Sequence, residues 1–161
     1  WQDVQVTRRP DGLKLDWLVD PTPINDRSSH GMELLPIPAG HYPQQYAWVT
    51  PFSIQTPPGY SVLITHPFNR YDLPFTTLNG IHDSDSIMPH GHLPFYMKDN
   101  FEGVIPAGTP MAQVIPFKRE SWKHNIGSDK EREQQERVDS QLHSLFFNSY
   151  KKQFWSRKEY R

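Results

Sequence analysis

The chain has 161 residues, the length of one domain with its own core, and its 17 Lys and Arg against 18 Asp and Glu leave a formal charge of −1. Cysteine is absent, which excludes a disulfide framework and a thiolate metal site, and the N-terminal WQDVQVTRRP has no signal-peptide core. No apolar run approaches the roughly 20 residues that a membrane-spanning helix needs, so the sequence predicts a soluble, cytoplasmic protein without a membrane partner.

Residues 1–19 predict a β-hairpin: VQVTRR, the turn Pro10-Asp11-Gly12, then LKLDWLV, with alternation on both arms. Residues 20–47 read as an irregular connector wrapping the body, because Pro21, Pro23, Pro36 and Pro38 break it and few apolar positions are periodic. The core region, 48–117, carries candidate strands at Trp48–Gln55, Tyr60–Thr65, Phe75–Leu78, Leu93–Met97, Gly103–Ile105 and Met111–Phe117. Proline is confined to strand ends, edges and bulges, so the 16 prolines demand short strands and leave no room for a long helix before residue 118. Short strands with turn residues every 8–12 positions predict a mainly β domain, a sandwich or barrel, over 1–127.

The pattern changes at Ser128. Ser128 followed by Glu131 is a capping box, in which the serine oxygen accepts from an amide of the first turn and the glutamate reaches back. Neither Gly nor Pro follows before Arg161, and Val138, Leu142, Leu145, Phe146, Tyr150 and Phe154 recur at spacings of three and four. A long C-terminal α-helix over 128–161 is predicted, with an apolar stripe suited to a protein partner or a neighbouring subunit. Charge divides along the same line: residues 1–117 carry 6 basic against 11 acidic groups, and 118–161 carry 11 against 7. A basic tail on an acidic body invites a nucleic-acid reading, but interleaved charge is more the pattern of a solvated helix face or a protein contact.

Polar residues that fit no core collect at the turns of the middle region, where loops on a rigid β scaffold place sites. Asp83 and Asp85, two positions apart, would share one side of an extended segment and could orient a water or hold Mg²⁺. Equally, aspartates of this kind cap turns through backbone amides. Arg70 is the guanidinium expected to pair with Asp85 or to clamp a phosphate, with Asn69 and His66 beside it as ligand-binding candidates. His82, His90 and His92 are the candidate metal ligands, since a His-x-His pair on a strand plus a third histidine suits Zn²⁺ or Fe²⁺. Lys118 to Lys123 could contact phosphate or form salt bridges after the last strand.

Asn79-Gly80-Ile81-His82-Asp83-Ser84-Asp85 resembles the third motif of the trimeric dUTPase and dCTP deaminase superfamily, Gly-Val-Ile-Asp-x-Asp-Tyr, and Ile105 to Ile115 resembles the fourth. Pro58-Gly59-Tyr60 stands where that family has a proline-glycine turn. The resemblance covers roughly 60 residues and implies a distorted barrel called a β-clip, a trimer first among homo-oligomers, a nucleotide ligand, and Asp83 as the water-orienting residue. Ser86 occupies the place of the uracil-stacking tyrosine, His66 to Arg70 the place of the phosphate-binding Arg-Ser-Ser, and a charged segment the place of the Gly-rich arm. The region from Trp48 to Lys123 is also similar to small uncharacterised proteins of marine bacteriophages, which implies a phage source and, with it, a virion or host-cytoplasm location.

Together these features predict a β-clip or jelly-roll-like barrel with an N-terminal hairpin and a long C-terminal helix. A non-catalytic oligomeric assembly or binding protein is the first functional expectation. The alternatives are a dUTPase-like nucleotide-binding or nucleotide-hydrolysing protein using Asp83, Asp85 and Arg70, and a His-dependent metalloenzyme.

Overall fold

A computed structural model describes residues 2–18, 20–27, 35–86, 91–144 and 149–157. Strands β1 (Val4–Arg9), β2 (Gly12–Asp16), β3 (Ile24–Asp26), β4 (His41–Val49) and β5 (Tyr60–Thr65) lead into β6 (Phe75–Thr77), β7 (Gly80–His82), β8 (His92–Lys98), β9 (Gly103–Ile105) and β10 (Gln113–Lys118). Helices α1 (Asp129–Ser144) and α2 (Ser149–Gln153) follow. The chain divides into two compact units, Trp1–Glu120 and Ser121–Arg161.

The first unit is mainly β. Its strands form three antiparallel sheets, ordered β2-β1-β9, β10-β5-β7 and β3-β4-β8-β6, and among the described strands no barrel closes. The N-terminal hairpin forms as its alternation demands, with Val6 opposite Leu15 and Arg9 opposite Gly12. Gly12 has φ 144°, a conformation that side chains rarely adopt and that glycine accepts.

The connector expected over 20–47 contains β3 and most of β4, and β4 lies inside the four-stranded sheet. Two features hid it. Pro43 falls within a register shift between His41 and Gln45, where a bulge absorbs the missing donor. Gln45 to Trp48 are buried one after another rather than alternately, and the strand ends at Val49, so the strand placed at Trp48–Gln55 caught only its last two residues and ran too far.

The register sets Tyr46 opposite Phe95 and Trp48 opposite Leu93, so β4 and β8 turn the same face inward. Trp48 stacks on Phe95 with centroids 4.4 Å apart and meets Phe75 edge-on at 5.0 Å. Val4 and Val6 from β1, Ile105 from β9 and Met97 from β8 complete the core, with Ile64 and Met111 packed against it. Full burial of each such side chain contributes roughly 1.5–3 kcal/mol.

In the second unit α1 starts at the predicted place. Glu131 accepts from the Ser128 amide at 2.6 Å, while the Ser128 hydroxyl donates to the same carboxylate at 2.9 Å rather than accepting from an amide. The expected single helix over 128–161 is not continuous to its end: the amides of Phe154 and Trp155 both reach back to the carbonyl of Tyr150, and Trp155 to Arg157 are not helical. Leu145 and Phe146 lie outside the described residues.

Candidate functional site

The antiparallel pairing of β5 with β10 sets Tyr60 opposite Lys118, which carries Arg119 alongside the Pro57 to Tyr60 turn. The Arg119 amide donates to the Gly59 carbonyl at 2.8 Å, fixing the backbone there. On the other side of β5, β7 pairs Val62 with His82, so the turn after β7 delivers Asp83 and Asp85 to the same end of the sheet. Arginine and both aspartates meet at one end because three strands end there in register.

Arg119 Nη1 donates to Asp85 Oδ1 at 2.9 Å, to Ser61 Oγ at 2.8 Å, to the Tyr60 carbonyl at 3.1 Å and to Asp83 Oδ1 at 3.3 Å. Arg119 Nη2 donates to Asp85 Oδ2, which also accepts from the Gly59 amide at 2.8 Å. The geometry is a bidentate fork closed on a carboxylate. Asp85 is only 7% exposed, and its carboxyl lies well below the ordinary 3.8, chiefly through Arg119 and then the Gly59 amide. The same pairing raises Arg119.

Asp83 differs from its neighbour. Its side chain is 64% exposed, Oδ1 accepts from Ser61 Oγ at 2.6 Å, and Oδ2 has no hydrogen bond among the described residues. Between the two aspartates Ser84 is buried, its hydroxyl 2.7 Å from that of Thr56, and the Ser86 amide closes the turn on the Asp83 carbonyl. Two carboxylates around one guanidinium leave the cluster at net −1, which disfavours phosphate, and only one outward carboxylate oxygen remains for a cation.

Arg70, the guanidinium expected beside Asp85, is elsewhere. It forms its own bidentate pair with Asp72, both bonds at 2.8 Å, which holds the Asp72 carboxyl down at about 2. Asn69 supplies the positive φ of 61° in the Pro67 to Arg70 turn. His66 is a clamp: Nδ1 accepts from the Thr77 amide at 3.2 Å, so the proton sits on Nε2 and is donated to the Arg70 carbonyl at 3.0 Å. The three ligand-binding candidates therefore hold one loop, and the structure does not join them to the aspartates. Arg119 was legible only as a member of a charged run, because a pairing across 34 residues is set by strand register rather than local spacing.

A cavity of about 510 Å³ opens beside β7, lined mainly by apolar groups including Ile64, Leu78, Leu93, Met111 and Val114. His82 and His92 are on its wall with Thr50 and Asn79. Among the described residues no three His, Asp or Glu side chains converge to hold a metal, and His90, the third proposed ligand, lies outside them. Instead His92 Nε2 is 3.5 Å from the side-chain Nδ2 of Asn25. Among the described residues no helix is long and apolar enough to cross a membrane.

Architecture and site together define a mainly β protein with an arginine-locked aspartate turn beside an apolar cavity. No protein-family model, no curated protein and no solved structure matches the chain.

Proposed function

We propose that this chain is a non-catalytic assembly or binding protein acting as a homo-oligomer, with a trimer first among the possible assemblies. The observation that carries this reading is the Asp83–Asp85–Arg119 turn: Asp85 is shielded and already neutralised by Arg119, so this carboxylate serves to join β5, β7 and β10 rather than to activate water or hold a metal. The apolar cavity, with Thr50, Asn79, His82 and His92 on its wall, offers a binding function, and apolar pockets with a few convergent polar groups are the usual form of ligand sites. The three sheets are read as a divergent β-clip or jelly-roll-like arrangement, and a phage-associated role is proposed on the resemblance of the Trp48 to Lys123 region alone.

Native mass spectrometry of untagged protein tests this directly. A single oligomeric species without stoichiometric metal is expected; a monomer, or an oligomer carrying one metal per chain, overturns it.

A second reading, a nucleotide-binding or nucleotide-hydrolysing relative of dUTPases, is favoured by one feature: the exposed, half-unpaired carboxylate of Asp83 beside Ser61. Under that reading a nucleoside triphosphate raises the melting temperature, and Asp83→Asn abolishes turnover while leaving the unliganded Tm within a degree or two of the parent. No Tm shift across a nucleotide panel with Mg²⁺ removes it.

A further inference from the structure

The basic excess of the C-terminal third is not spread along it. Residues 118–139 carry 6 basic and 6 acidic groups, whereas 140–161 carry 5 basic and 1 acidic, with no acid at all between Asp139 and Glu159. Within this stretch the described residues 149–157 interleave the two side-chain chemistries that hold single-stranded nucleic acid. Tyr150, Phe154 and Trp155 are 63%, 41% and 48% exposed, and Lys151, Lys152 and Arg157 are exposed among them. Lys151 Nζ sits 5.9 Å from the Trp155 ring centroid, so a cation and an aromatic face are presented together. None of the three cations has an ion pair among the described residues, whereas Arg70 and Arg119 in the β unit are each bonded to carboxylates.

We infer that the segment Ser149 to Arg157 is a contact site for single-stranded nucleic acid, with Lys151, Lys152 and Arg157 on phosphates and Tyr150 and Trp155 stacking on bases. Every base has a π-face, so such a contact is tolerant of sequence and strongly salt-dependent. A membrane surface fits less well. The backbone leaves helical geometry after Gln153, so Phe154, Trp155 and Arg157 do not continue a helical face that could lie in a bilayer interface.

The test uses the full chain and a fluorescein-labelled 20-mer of deoxythymidine, followed by anisotropy. Binding at 50 mM salt is expected to weaken roughly 20-fold at 200 mM, the consequence of three phosphate contacts on a single strand. The combined Lys151→Gln, Lys152→Gln, Arg157→Gln variant should lose at least about 10-fold at 50 mM and show a flatter salt dependence. Trp155→Ala should lose about 5-fold or more, and Trp155→Phe should retain most of the affinity. All four residues are exposed, and unchanged melting curves confirm that the variants fold. The inference is overturned by no anisotropy change at 50 mM salt, by a triple variant that binds like the parent, or by sedimentation with phosphatidylserine vesicles when the oligonucleotide is not bound.

Discussion

Asp83 and Asp85 are two residues apart, of the same type and in the same turn, yet one faces water and the other is enclosed by a guanidinium and a backbone amide. The depressed carboxyl of Asp85 gives stability a definite pH dependence. Its folded-state value lies below the ordinary 3.8, so its contribution is fully present above about pH 5 and is lost as pH falls through 3.8 toward the folded value. Asp85→Asn should therefore lower Tm by several degrees at pH 7, and the gap to the parent should narrow steadily between pH 5 and pH 3 in thermal melts. A constant gap across that range would show that the lost stability is not electrostatic. Arg119→Lys should also fail to restore parental Tm, because an ammonium cannot reproduce the two-pronged bond to Oδ1 and Oδ2.

For individual elements, local chemistry decided what could be read in advance. The first hairpin was legible because turn and alternation agree, and its Gly12 makes a specific demand. Gly12→Ala places a β-carbon on a backbone with φ 144° and 2.6 Å from Tyr42 Oη; the tyrosine tip can move aside, but the backbone angle cannot. A loss of about 1–3 kcal/mol is expected by denaturant unfolding, with the m-value unchanged. Strands β5 and β9 were readable to the residue, being short apolar runs bounded by turn residues. Strand β4 was obscured by Pro43, whose breaker character is cancelled by the bulge, and β7 by its three residues of Gly-Ile-His, which have no periodicity of their own. The same limit applied to the site: Asp83 and Asp85 could be picked out as a pair, but the cation they share comes from the far end of β10.

At the level of the whole molecule, the first unit is net acidic and the second net basic. Removing residues 121–161 should leave the β unit folded, because its core draws only on residues before 120. If the C-terminal unit makes the subunit contacts, the shortened chain should sediment as a monomer with a melting temperature close to that of the full-length subunit. An oligomer that survives the truncation would move the assembly surface onto the sheets themselves.

The lock on Asp85 also sets an order of events during synthesis. The carboxylate leaves the ribosome 34 residues ahead of the guanidinium that will shield it. Until β10 and then Arg119 emerge, β5 has one neighbour instead of two and the loop after β7 has its acid but no cation. A nascent chain halted before Arg119 has left the ribosome should remain sensitive to protease in that loop, and one extended far enough to free Glu120 from the ribosome should not.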